Sequence, residues 1–131
     1  MFTFKTHIRM HDTDAAGILY FPNQFQIAHE AFEAFLDSAG LPVRHMLDSA
    51  DYLFPIVHAE GDYTAPVGVG DPLTINLTAE RIGSSSVTLL FRLLKDGRET
   101  GLVRTVHVAV NKSDFKKRPL PPEMRAAVEK L

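Results

Sequence analysis

One segment of helical period stands inside a chain that otherwise alternates, and that contrast limits the folds open to it. From Asn23 to Ala39, Phe25, Ala28, Phe32, Phe35 and Leu36 recur at helical spacing, while Gln24, Glu30, Glu33 and Asp37 mostly fill other faces. Gly40 is a good stop, and Pro42 discourages continuation. Elsewhere the period is two. Phe2 to Met10 reads as a strand with Phe2, Phe4, Ile8 and Met10 on one face. Leu53 to Thr64, Leu73 to Ile82, Ser86 to Leu94 and Glu99 to Asn111 read as four more. The Asp-Gly pair within Lys95 to Arg98 predicts a hairpin, Gly83-Ser84-Ser85 a turn, and Ala65 to Pro72 a loop. Val43 to Ala50 and Glu123 to Leu131 are short helix candidates, with a basic, proline-containing connector from Phe115 to Pro122. The apolar face of one long helix needs a sheet to cover it. The expected class is therefore α+β, an antiparallel five-stranded sheet wrapped around one central helix. The sheet's end strands and second face stay open, and a dimer would bury them.

The chain has 131 residues, which suits one domain, residues 1–131, with a real core. Its net charge of −2 offers no broad basic footprint for nucleic acid or an anionic membrane. Cysteine is absent, which removes disulfides, thiolate catalysis and cysteine-bound metals, and is compatible with a reducing compartment. No signal-peptide core and no run of roughly 20 apolar residues is present. The expected location is the cytoplasm.

The densest chemistry lies just before the long helix, in Asp12-Thr13-Asp14-Ala15-Ala16-Gly17-Ile18-Leu19-Tyr20-Phe21-Pro22-Asn23. Taken alone, carboxylates ahead of a helix are most often caps or turn formers. His29-Glu30-Ala31-Phe32-Glu33 invites a zinc reading, but a metalloprotease helix needs a second histidine where Glu33 stands. His11-Asp12-Thr13-Asp14 lacks a completing ligand. No metal site and no cofactor is expected. His29 and Glu33, one turn apart, share a helix face. His58 and His107 fall in strands and read as packed or interface residues.

The stretch from Asp12 to Asn23 resembles the signature of the 4-hydroxybenzoyl-CoA-thioesterase-like hotdog proteins: Asp-x-Asp-x-x-Gly, an apolar pair, two aromatics, then Pro-Asn at the start of the central helix. Asp62-Tyr63-x-x-Pro66, Gly70-Asp71, Glu80-Arg81-Ile82-Gly83 and Arg118-Pro119-Leu120-Pro121 resemble further landmarks of that family. His29 to Glu33 is similar to the branch acting on 1,4-dihydroxy-2-naphthoyl-CoA; the 4-hydroxybenzoyl branch has an acidic residue where His29 stands. The resemblance implies a hotdog fold, a homodimer that commonly pairs into a homotetramer, active sites at the dimer interface, and hydrolysis of an acyl-CoA thioester. It implies Asp14 as nucleophile or general base, the backbone N–H of Phe21 as donor to the developing oxyanion, and Gly17 as the residue permitting close approach. Tyr20, His29 and Glu33 become candidates for the acyl group. Ser84 and Ser85 stand where family members often place basic residues for CoA, and Lys116-Lys117-Arg118 is a possible compensation. Three alternatives remain: a short- or medium-chain aliphatic acyl-CoA thioesterase, a non-catalytic acyl-binding module, and a dehydratase using His29.

Overall fold

The computed structural model describes residues 1–131. In chain order it holds β1 (Phe2–His7), α1 (Asn23–Ser38), α2 (Val43–Ser49), β2 (Tyr52–Leu53), β3 (Ile56–Tyr63), β4 (Pro72–Ile82), β5 (Ser86–Lys95), β6 (Arg98–Val108), β7 (Val110–Asn111) and α3 (Pro122–Val128). Five strands form one antiparallel sheet in the order β1-β4-β5-β6-β3, and β2 pairs with β7 apart from it. Alternate residues of the central strands face inward: Leu73, Ile75 and Leu77 on β4, Val87, Leu89, Phe91 and Leu93 on β5, and Val103 on β6 are all buried. They meet Ile27, Ala28, Ala31, Phe32, Phe35 and Leu36 of α1 in one cluster. This is the helix-in-sheet arrangement implied above.

Turn chemistry sets the boundaries. Gly40, at φ +75°, ends α1; the Leu41 N–H bonds Leu36 O at 2.9 Å and the Gly40 N–H bonds Asp37 O at 3.1 Å, closing the last carbonyls as glycine termini do. Asp96 and Gly97 both take positive φ, the two-residue turn that an Asp-Gly pair favours between twisted strands.

Three expectations are corrected. The first strand stops at His7, and Met10 is 82% exposed, because the Asp12 carboxylate takes the Arg9 N–H at 2.8 Å and curls Met10–Asp12 into a short 3-10 turn. The segment from Leu53 to Thr64 is two strands. Pro55 has no N–H for a ladder; its carbonyl instead accepts from Val108 N–H at 3.1 Å, and the pairing partner changes from β7 to β6 across it. Gln24 is buried rather than on a polar face, at 1% exposure. Its Nε2 donates to Asp62 O at 3.0 Å, and its side chain fills the space above Gly101, where an added Cβ would lie 2.1 Å from Oε1. The missing side chain of β6 makes room for the amide that ties the start of α1 to β3.

Candidate functional site

The stretch before α1 is a small clamped hairpin. Thr13 bridges Leu19, Ile18 bridges Gly68, the Leu19 N–H donates to Val67 O at 2.8 Å, and the Val69 N–H donates to Gly17 O at 3.1 Å. Gly17 takes φ +74°, which closes the tip, and Gly68 lets the Gly17 carbonyl pass where a Cβ would stand 3.1 Å away. Asp71 braces the supporting loop: its Oδ2 accepts from Gly68 N–H at 2.8 Å and pairs with Lys95 Nζ at 2.9 Å. The Lys95 ammonium, with the Gly68 N–H behind it, holds the Asp71 carboxyl below its ordinary range.

The two carboxylates of the motif are placed differently. Asp12 is 3% exposed and structural: its side chain takes the Arg9 N–H, and its carbonyl accepts from Tyr20 N–H at 2.9 Å and Asn23 Nδ2 at 3.0 Å. Asp14 is exposed. Its Oδ1 accepts from the Ala16 and Ile18 N–H groups at 2.9 and 3.3 Å, while Oδ2 has no protein partner. One oxygen is held by the loop amides and the other is free of protein partners.

The helix start is also specific. The first-turn amides of Asn23, Gln24 and Phe25 are not free, as a generic helix start would leave them; they donate to the carbonyls of Tyr20, Phe21 and Pro22. Phe21 is the residue in this turn whose N–H makes no intramolecular bond. Its carbonyl accepts from the Tyr63 hydroxyl at 2.6 Å, so β3 holds the peptide in place. Burial pushes the Tyr63 phenol pKa still further above neutral pH, where a phenol already keeps its proton. In the sequence Tyr63 and Asp71 stand as family landmarks with no task of their own, and nothing near Gln24 marks it as buried.

The remaining candidates do not all gather at Asp14. Tyr20 and Phe21 expose their rings beside the hairpin, in edge contact with centroids 5.2 Å apart. His29 and Glu33 are exposed on one face of α1, further along it. His29 borders a cavity of about 430 Å³ between α1 and the sheet, with Phe25, Phe32, Phe91, Thr105 and His107. Glu33 does not line that cavity; it faces a second groove, against Met46 and Leu47 of α2, which His29 also borders. His107 is packed, as expected, and His58 lies on exposed β3 beside Glu60. No group of three or more His, Asp or Glu side chains is gathered as a metal site.

Ser84 and Ser85 lie at the other end of the sheet. β5 leads from beside the motif to this turn, ten residues or roughly 30 Å of strand. Ser84 is exposed, but Ser85 is 8% exposed, its carbonyl taking the Ala109 N–H, so Ser85 is not open to a CoA chain as its sequence position suggests. Arg125 of α3 ties the turn down through Gly83 O at 2.7 Å. Arg118 is engaged too, paired with Asp51 at 2.9 Å and lying over the Tyr52 ring, which leaves Lys116 and Lys117 as the exposed cations of that run.

Known proteins share this fold. A family model described as the thioesterase-like superfamily matches residues 8–128. The 1,4-dihydroxy-2-naphthoyl-CoA hydrolase of Nostoc punctiforme is 34% identical over 94% of this chain and 83% of its own length. The protein of the same name from a Synechocystis strain is 33% identical over 97% and 94%. Among solved structures, a 1,4-dihydroxy-2-naphthoyl-CoA thioesterase from Synechocystis superposes with a TM-score of 0.93 at 31% identity, covering 99% of this chain and 96% of that one. A gentisyl-coenzyme A thioesterase does so at 0.85 and 28% identity, covering 97% and 98%. With its sheet curled around one helix and a family model spanning nearly its whole length, the chain belongs to the hotdog-fold thioesterase-like superfamily.

Proposed function

We propose that the protein hydrolyses the CoA thioester of an aromatic acid, with 1,4-dihydroxy-2-naphthoyl-CoA as its leading substrate. The observation that carries this reading is the pairing, in one braced segment, of a half-free carboxylate at Asp14 with an unbonded N–H at Phe21. A thioester carbonyl under attack needs both an electron-rich oxygen and a donor for the oxygen that becomes negative. Asp14 supplies the first, either by attacking the carbonyl to give an anhydride that water opens, or by taking a proton from an attacking water. Phe21 supplies the second. In both routes the C–S bond breaks and CoA leaves as thiolate. The relatives act on bicyclic and monocyclic aryl thioesters by name, and an aromatic-walled cavity suits such acyl groups better than a flexible aliphatic chain.

The active site is completed by a second copy in this reading. β3 is an edge strand with Ile56, Val57 and Tyr63 exposed, and Ile18, Tyr20 and Phe21 add apolar surface at one end of it. Two copies of β3 paired antiparallel about their centre set Tyr63 against the partner's Ile56. The Phe21 peptide that Tyr63 holds then lies beside the partner's His29 cavity, and the partner's Ser84 turn lies beyond it. This joins in one site residues that a single chain keeps at opposite ends. His29 meets the acyl group, Ser84 and Lys116-Lys117 meet CoA, and two such dimers associate into a tetramer. The cysteine-free chain suits a cytoplasmic enzyme.

The test is free-thiol release from a panel of aryl and aliphatic acyl-CoAs by wild type and Asp14→Asn. The amide keeps the size and removes the charge. Wild type should prefer aryl thioesters, and the variant should lose about a hundredfold or more in kcat. Equal rates would return Asp14 to the role of a turn residue. Ligand-dependent melting without thiol release would make the protein an acyl-binding module.

A further inference from the structure

We propose that Thr105, its hydroxyl aimed by His107, is a specificity residue that accepts a hydrogen bond from a remote ring hydroxyl of the acyl group. This rests on the aryl-thioesterase reading above.

Four polar residues, Gln26, His29, Thr105 and His107, line the cavity of about 430 Å³. Phe25, Phe32, Ile56 and Phe91 make its walls apolar. His29 is at the exposed side, while Thr105 and His107, 6% and 2% exposed, form the deep end. His107 uses both ring nitrogens. Nδ1 lies 3.2 Å from Phe54 O, and Nε2 lies 3.1 Å from Thr105 Oγ1. A carbonyl only accepts, so Nδ1 carries the proton. The ring is neutral: burial drives its pKa down to about 4, against a smaller opposing effect of the Phe54 carbonyl and with His29 adding to the depression. Nε2 is then a bare acceptor, and the Thr105 hydroxyl must donate to it. With its one proton committed, Thr105 Oγ1 presents only lone pairs. The imidazole is stacked on Phe54 and packed against Phe32, with ring centroids 5.0 and 4.7 Å apart.

A site of this kind takes a donor. A phenolic or naphtholic O–H fits; an ether, a halide or a bare C–H does not. The line of hydroxyl, imidazole and carbonyl also resembles a nucleophile with its base. An imidazole titrating near 4 is too weak a base to activate a threonine at neutral pH, so the pair recognises rather than reacts.

The experiment compares kcat/KM for 1,4-dihydroxy-2-naphthoyl-CoA and 1-hydroxy-2-naphthoyl-CoA, which differ in the remote hydroxyl, across wild type, Thr105→Val and Thr105→Ser. Wild type should favour the dihydroxy substrate by about tenfold or more. Thr105→Val should bring the ratio close to one by slowing the dihydroxy substrate alone, and Thr105→Ser should keep it. An equal loss on both substrates, or an unchanged ratio in Thr105→Val, overturns the proposal. Imidazole ¹⁵N shifts of the wild type at neutral pH give an independent readout: a protonated Nδ1 and bare Nε2 support it, and the reverse tautomer overturns it. If wild type releases thiol from neither substrate, the activity reading has failed. Calorimetry with 1-naphthol and naphthalene then decides the site: preference for 1-naphthol that Thr105→Val abolishes supports it, and equal binding overturns it.

Discussion

An imidazole with both nitrogens bonded inside apolar walls makes stability depend on pH in a readable window. His107 titrates near 4 in the folded chain against an ordinary 6.5. The unfolded chain therefore binds the extra proton first as pH falls. The contribution is whole above pH 6.5 and is lost progressively down to about 4. Between pH 6.5 and 5 the loss is on the order of 2 kcal/mol. Glu60 and Glu80, held low by the Arg104 guanidinium, and Asp71, held low by Lys95, act on the same side but at lower pH, below their ordinary values of 4.5 and 3.8. Urea midpoints at pH 6.5 and 5 separate the two effects: wild type should weaken across this interval, and His107→Gln should lack that component of the slope. At this scale the sequence was legible in part. Asp14 and Phe21 stood in a motif with a known pattern. Gln24 did not declare itself, because the space it fills is made by Gly101, a residue far along the chain on another strand. Thr105 and His107 alternate inward with their neighbours on β6, and the strand period alone marks them as core, not as a polar pair.

Elements were legible wherever local pattern decided them. The 3.6 period of α1, the stop at Gly40 and the Asp-Gly turn between β5 and β6 all follow from nearby residues. The break at Pro55 was present as a signal, a residue without an N–H inside an alternating run, and its weight shows only when two different partners claim the flanks. β3 is also where an exposed apolar edge is concentrated, with Val57 61% exposed and Ile56 40%. Replacing both with lysine puts charges on that edge, as natural sheets do to block pairing. Ile56→Lys/Val57→Lys should sediment as a monomer in analytical ultracentrifugation, keep its far-UV circular dichroism, and lose most thioesterase activity. A dimer that survives the double substitution would place the interface elsewhere.

For the whole molecule, the layout of one antiparallel sheet around one helix was legible because a single long helix leaves few ways to cover it, whereas the strand order β1-β4-β5-β6-β3 was not. The arrangement across chains was not, since a single sequence does not show which edge a second copy takes. The outer face of the sheet illustrates this. Arg104 on β6 pairs with Glu60 on β3 and with Glu80 on β4, among half-buried Leu90, Leu102 and Val106. Exposed ion pairs of this kind add little to stability, and the tetramer proposed above would use that face. Neither Asp14 nor the tip of its hairpin lines the Thr105 cavity of the same chain, and that carries a genetic consequence. If each site takes its carboxylate from one chain and its acyl pocket from the other, two impaired proteins can rescue each other. Asp14→Asn mixed with a pocket variant such as Thr105→Val, unfolded and refolded together, gives mixed dimers in which one site carries both lesions and the other carries none. Equal amounts should restore about a quarter of the wild-type sites, the share set by random pairing of two chains. Assayed on the dihydroxy substrate, the refolded mixture should exceed the mean of its two parents, and chains refolded separately and then combined should not.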